Sequence, residues 1–342
     1  MPTTYAIPDG RVAMAATLYT GTGAAQTISN AVNGVSFQPD FVWAKSRSSA
    51  ESHRLEDSVR GATQALYSNL TNAEATEAQS ITAFGSTGFT LGTGTPNTSA
   101  VTYVGWQWKA GGTAVSNTAG SITSSVSANT TAGFSVVTYT GVGGTSTVGH
   151  GLGVAPSMVI VMPRSFVSDK YVYHASLGAA NYVSINLTTA SASTTLWNST
   201  SPTSTVFTVN GNGANQNTST FVAYCFAEVA GYSAMGSYTG NGSADGPFVF
   251  TNFQPRFVMR KKTSGVARWI VEDSAREPSN VANSGLFPNF ANAEEVSTAN
   301  WGIDFLSNGF KIRSTDTESN ESGGTYIYMA FASNPLKYSN AR

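Results

Sequence analysis

Three times the chain spells nearly the same five residues: "YTGTG" at Tyr19–Gly23, "YTGVG" at Tyr139–Gly143 and "YTGNG" at Tyr238–Gly242. Each copy opens the same series of motifs. The first is followed by "VSFQPDFVWAKSR" (Val35–Arg47), the second by "LGVAPSMVIVMPR" (Leu152–Arg164) and the third by "TNFQPRFVMRKKT" (Thr251–Thr263). The tyrosine precedes Phe37 by 18 residues, and Val154 and Phe253 by 15. Next come "LEDSVRG" (Leu55–Gly61), "VYHASLG" (Val172–Gly178) and "VEDSARE" (Val271–Glu277), the middle copy without the charges. "NAE" recurs at Asn72–Glu74 and Asn292–Glu294, then "STGFTL" (Ser86–Leu91), "STVFTV" (Ser204–Val209) and "SNGFKI" (Ser307–Ile312). A motif series repeated in fixed order restricts the chain to copies of one structural unit.

Each unit ends on a strand-like run: "TYVGWQWKA" from Thr102, "TFVAYCFAE" from Thr220 and "TYIYMAFAS" from Thr325. Side chains alternate faces along a strand. One face carries Val104, Trp106 and Trp108; then Val222, Tyr224 and Phe226; then Ile327, Met329 and Phe331. It is large in every copy and is assigned to the core. The other carries Tyr103, Gly105 and Gln107; Phe221, Ala223 and Cys225; Tyr326, Tyr328 and Ala330. It is mixed and often small, as expected where a second layer packs close. The units span 19–110, 133–230 and 231–342. Residues 1–18 read as an N-terminal arm, and the Gly/Ser/Thr-rich 111–132 as a linker, although Ser121–Val126 has the pattern of an edge strand.

Strand signals in "FVWAK", "MVIVM", "FVMRK" and "RWIVED", with turn signals every 8–12 residues, are those of an all-β sandwich or jelly roll. The expected architecture is three tandem antiparallel β-sandwich domains. The one helix-like run is "TNAEATEAQSI", Thr71–Ile81. Charged residues are only 11% of the 342-residue chain, against about 25% in average soluble domains, so Ser, Thr, Asn and Gly must coat the surface. Unit 2 has four charges, Arg164, Asp169, Lys170 and Glu228, whereas unit 3 has ten of each sign. So sparse a charge implies that unit 2 is covered by neighbours, and an oligomeric protein is expected.

A net charge of −1 argues against nucleic-acid binding. No run approaches the roughly 18 apolar residues of a membrane span, and the start "MPTTYAIPDGRVAMAATL" lacks the pattern of a signal peptide. A single cysteine, Cys225, permits no internal disulfide and reads as a buried structural residue. His53, His150 and His174 lie in different units with no second ligand at metal spacing, so no metal or cofactor is expected. No nucleophile-elbow, phosphate-loop or zinc-protease motif is present. The carboxylate pairs Glu56/Asp57 and Glu272/Asp273 have the residue types of a glycosidase site. Arginines three residues on, Arg60 and Arg276, point instead to local ion pairs that order a loop. Among the six tryptophans, Trp43 and Trp106 are assigned to the core, and Trp197 and Trp301 are the surface candidates for stacking on a sugar.

Taken together, "YTGTG…VSFQPDFVWAKSR…LEDSVRG…NAE…STGFTLG…TYVGWQWKAGG" resembles a repeat domain of tailed-phage virion proteins, often labelled tail-fibre or lectin-like tail proteins. The likeness extends through "FAEVAGYSAMGSYTGNGSADGPFVF" and "YIYMAFASNPLKYSNAR" to nearly the whole chain. It implies a non-enzymatic virion structural protein, made in the host cytoplasm and released by lysis. The role expected first is a tail-fibre or tail-tip appendage that attaches to a host-surface glycan. It would be a homo-oligomer, a trimer if a tip adhesin, joined to other virion proteins through its N-terminal arm. The alternative is a capsid decoration or head fibre; a polysaccharide depolymerase is third. No catalytic residue comes with the resemblance.

Overall fold

Residues 5–335 are described by a computed structural model. Strands make up 43% of it and helices 6%, so the all-β expectation holds. Each repeat builds the same four-stranded antiparallel sheet, in the order opening, closing, inner and rim strand. These are Met14–Thr20, Thr102–Trp108, Phe41–Ser46 and Arg54–Asp57 in unit 1. In unit 2 they are Phe134–Thr140, Thr220–Phe226, Met158–Pro163 and Tyr171–His174, and in unit 3 Ser233–Thr239, Thr325–Pro335, Phe253–Lys262 and Trp269–Asp273. The sheet of unit 2 is extended to eight strands. Two of the added strands, Val115–Asn117 and Ser124–Asn129, come from the segment expected as a linker. The alternation in "SSVSAN" buries Val126, so this stretch is sheet edge rather than spacer.

A smaller second layer covers the small face of each sheet. It is formed by Gln26–Ser29, Gly88–Leu91 and Ile81–Gly85 in unit 1, and by Ser146–Gly149 with Val206–Val209 in unit 2. In unit 3 it comprises Phe248–Phe250, Gly309–Ile312 and Ile303–Leu306. Gly105 is small because a Cβ there would stand 3.0 Å from the ring of Phe89.

The repeated pentapeptide has a packing reason. Tyr19, Tyr139 and Tyr238 stack on Tyr103, Phe221 and Tyr326 at 5.1, 5.1 and 4.7 Å between centroids. The same rings meet Phe89, Phe207 and Phe310 edge-on at 6.1, 6.2 and 6.3 Å. The tyrosine is thus the pin between the two layers. At the following glycines, a Cβ would lie 2.1 Å from Thr98 O, 2.3 Å from Gln216 O and 2.3 Å from Glu321 O. Each of those carbonyls follows a buried asparagine that clamps the turn, and Asn215 and Asn320 end the short helices Gly211–Asn215 and Thr317–Asn320. Asn97, Asn215 and Asn320 accept the backbone N–H of Thr22, Val142 and Asn241 at 2.9, 2.9 and 2.8 Å. The Asn215 amide also donates to Gly143 O and Gly144 O at 3.1 and 2.9 Å. Replacing Asn215 by alanine should therefore cost about 1–3 kcal/mol in guanidinium unfolding; an unchanged midpoint would mean that the glycines alone hold the turn.

The large faces do not form three separate cores. One cluster contains Phe41, Trp106 and Trp108 of unit 1, Phe134, Ile160, Tyr224 and Phe226 of unit 2, and Phe257, Met259 and Phe331 of unit 3. The equivalent residues Trp108, Phe226 and Phe331 form a triangle with sides of 6.2, 5.8 and 6.0 Å. Three like sheets therefore face one another around a pseudo-threefold axis, and the triangle sits on it. The large face of the charge-poor unit 2 is covered by the other two units of its own chain. The reading of residues 1–18 as an arm also changes: Ile7, Ala13, Met14 and Ala16 join the shared core and the opening strand begins at Met14, while Met1–Thr4 lie outside the described residues. No helix forms over Thr71–Ile81; Glu74 is drawn instead to arginines on either side of a seam.

Candidate functional site

The repeated motifs come to rest on the three seams between units, in cyclic order, and carry their charges at two of them. At the seam of units 1 and 2, Asp57 ends a rim strand and accepts the hydroxyl of Tyr224 at 2.9 Å. It also accepts the backbone N–H groups of Val59 and Arg60 at 3.1 and 2.8 Å and pairs with the Arg60 guanidinium. Arg60 reaches Leu55 O, Gln64 O and Glu74, each at 2.8 Å, and Glu74 in turn takes two bonds from Arg164 across the seam at 2.9 and 2.8 Å. The seam of units 3 and 1 repeats this chain of contacts. Asp273 accepts the indole N–H of Trp106 at 3.0 Å and pairs with Arg276; Arg276 bonds Glu294 at 2.8 Å, and Glu294 takes two bonds from Arg47 at 3.0 and 2.8 Å. The expected pairs Asp57–Arg60 and Asp273–Arg276 both form, and each aspartate also takes one bond from across its seam, from Tyr224 and from Trp106.

The seam of units 2 and 3 is built without these charges. His174 stands where the others have aspartate, Leu177 where they have arginine and Ser191 where they have glutamate. His174 Nε2 donates to Tyr328 O at 3.2 Å, and Ser191 bonds Thr263 O through its backbone N–H and hydroxyl at 3.0 and 3.1 Å. Lysines cross the seams as well. Lys45 donates to Ala291 O at 3.1 Å, Lys261 to Thr188 O at 3.1 Å and Lys170 to Asn72 O at 2.9 Å. Burial lowers each of the three to about 8, which leaves them mostly charged at neutral pH.

Two seam histidines are held neutral. His53 Nδ1 accepts the Trp43 indole N–H at 2.8 Å, so its Nε2 carries the proton that bonds Phe287 O at 2.8 Å. His174 Nδ1 accepts Ser176 N–H in the same way. Burial pushes His174 down to about 4; for His53, burial, with help from Lys45, pushes it well below the ordinary histidine range. The unfolded chain protonates both near pH 6.5. Their contribution to stability is therefore complete above pH 6.5 and is lost as pH falls toward about 4, by about 3 kcal/mol for His174 alone. The guanidinium midpoint should fall between pH 7.5 and pH 5, and His174→Gln should flatten the fall; a midpoint that stays level would contradict neutral buried histidines.

No carboxylate of the two "ED" motifs lines an open cleft. Glu56, Asp57, Glu272 and Asp273 are all buried. Glu56 is bonded by Ser80, and Glu272 by Arg260 at 2.6 Å. The two surface tryptophan candidates must be corrected. Trp197 and Trp301 are each 2% exposed. The Trp197 indole donates to Asn181 O at 3.2 Å and its ring meets Tyr173 edge-on at 6.1 Å. Trp301 donates to Asn283 O at 2.9 Å and lies under the Arg268 guanidinium, 4.7 Å from its ring centre. Cys225 is free and buried as expected, its thiol pushed up by burial to about 12. Among the described residues, no group of three or more His, Cys, Asp or Glu is placed to hold a metal ion, and no helix is long and apolar enough to cross a membrane.

One open groove, of about 570 Å³, lies on unit 2. Tyr171 of the rim strand and Tyr182 of Asn181–Ser184 form one wall, their rings 5.8 Å apart. Thr194, Thr195 and Asn212 add hydroxyl and amide groups, and no acidic or basic side chain lines it. Gly213, in the short helix Gly211–Asn215, leaves room for the Tyr171 ring, which a Cβ would approach to 2.8 Å. Aromatic faces beside neutral donors and acceptors suit an uncharged polyhydroxylated ligand. The sequence signal was available in "YVYH" and "NYVS", where the tyrosines alternate with buried valines.

A family model described as "Domain of unknown function (DUF7483)" matches residues 12–335. No curated protein matches the chain.

Proposed function

We propose that this chain, which belongs to the DUF7483 family, is a non-enzymatic structural protein of a phage particle, a tail appendage that attaches to a neutral glycan of the host surface. The observation that carries the reading is how the charge is used. Most of the buried ionised groups are consumed in ion pairs at the seams and inside unit 3, while the groove on unit 2 presents tyrosines, hydroxyls, an amide and Leu196, with no charged side chain. Such a groove is suited to recognition by stacking and by hydrogen bonds between neutral groups. The motif resemblance supplies the virion setting, and the units are, on this reading, copies of one sandwich design. The closed block supports a rigid module that further copies or other virion proteins would join from outside.

Immunogold electron microscopy of the phage with antibodies to this chain tests the reading. Gold at the tail end is the expected result. Gold spread over the head would replace it with the capsid-decoration reading, and particles without label would end both.

A further inference from the structure

On the outer face of the second layer, unit 3 departs from its sisters. Thr27 and Ser29 of unit 1 and Thr147 and Gly149 of unit 2 occupy two outward positions of the edge strand. Unit 3 has Phe248 and Phe250 there, 45% and 58% exposed. The register pairs Phe248 with Lys311 and Phe250 with Gly309, and Leu306 lies beyond Gly309. A Cβ on Gly309 would stand 2.1 Å from Val249 O and 3.1 Å from the Phe248 ring, so only glycine fits beside the two rings. Nearby, Lys311 meets Asp245 at 2.9 Å, Arg313 meets Asp304 at 2.6 Å, and Arg313 meets Asp245 at 3.4 Å. Asp245 has a side chain 81% exposed.

We propose that Phe248 and Phe250, with the Asp245–Lys311–Arg313–Asp304 rim, form a second binding platform, for a neutral glycan chain. Rings two residues apart on one strand stand about 7 Å apart, within reach of successive sugars of an extended chain. Each ring covers the CH face of a pyranose, and the rim offers both donors and acceptors to hydroxyls. The rim is balanced, two cations against two carboxylates, which favours an uncharged ligand over an acidic one. A protein partner fits less well. A stable interface takes about 800 Å² from each side, whereas two half-exposed rings offer on the order of 200 Å² in surroundings of Ser, Asn and Gly. The platform rests on the glycan-attachment reading and adds to it a site and a ligand class.

The test is affinity electrophoresis of the full chain in native gels cast with dextran, mannan, galactomannan or hydroxyethyl cellulose. At least one should retard the wild type. F248A/F250A should bind that polysaccharide at least about tenfold more weakly, F248Y/F250Y should restore retardation, and Val167→Ala, a surface change elsewhere, should leave it intact. A double variant retarded like the wild type would overturn the platform, as would a wild type that no gel retards. Either failure leaves the virion reading to the gold label, which does not depend on these residues.

Discussion

Replacing Arg276 by methionine is expected to lower the free energy of unfolding by about 3–5 kcal/mol, because it leaves Asp273 and Glu294 without the guanidinium between them. Asp273 shows why the loss is large. Burial alone would raise its pKa, yet Arg276, with the Trp106 indole, holds it below the usual carboxylate range. The chain also contains the control. The seam of units 2 and 3 is closed with His174, Leu177, Ser191 and Thr263, so exchanging the whole corresponding set R47T/D273H/R276L/E294S should cost less than R276M alone. Equilibrium guanidinium unfolding of the two variants settles the order. If the quadruple variant proved the weaker, a seam without these ion pairs would depend on its particular neighbours rather than on removing both signs together.

Trp108→Ala should be the most damaging single truncation, at about 3–5 kcal/mol. Its ring packs against Phe41, Phe226, Phe257 and Phe331, which come from all three units. The shared cluster further requires that the wild type melt in one calorimetric transition and that the variant keep a single, lower one. Three separate transitions in the wild type would mean that the units hold their own cores.

The repeat, its order and the division of each closing strand into a large and a small face were legible because they depend only on alternation within one segment. So were Asp57–Arg60 and Asp273–Arg276, which lie within one turn. The seams were not legible. Tyr224 and Asp57 are 167 residues apart and Arg47 and Glu294 are 247 apart, and nothing local marks them as partners. Glu74 shows the same limit from another side. "NAEATEA" has helix-forming composition, but the carboxylate gains Arg60 and Arg164 only if the segment is extended, and the tertiary contacts override propensity. Trp197 sits in a turn and Trp301 ends the one-turn helix Thr298–Trp301, both too short for burial to leave a periodic signature; each indole N–H finds a carbonyl inside the fold.

Ring closure also has a consequence in time. Arg47 cannot meet Glu294 until 247 further residues have been made, about 12–50 s at 5–20 residues per second. Unit 1 leaves the ribosome with Phe41, Trp106 and Trp108 uncovered on one face until units 2 and 3 have followed. Nascent chains of different copies, close together on one messenger, could supply the missing face to each other. Chaperone dependence during synthesis, and misassembled multimers when expression is fast, are the expected cost of a fold whose first third is finished by its last.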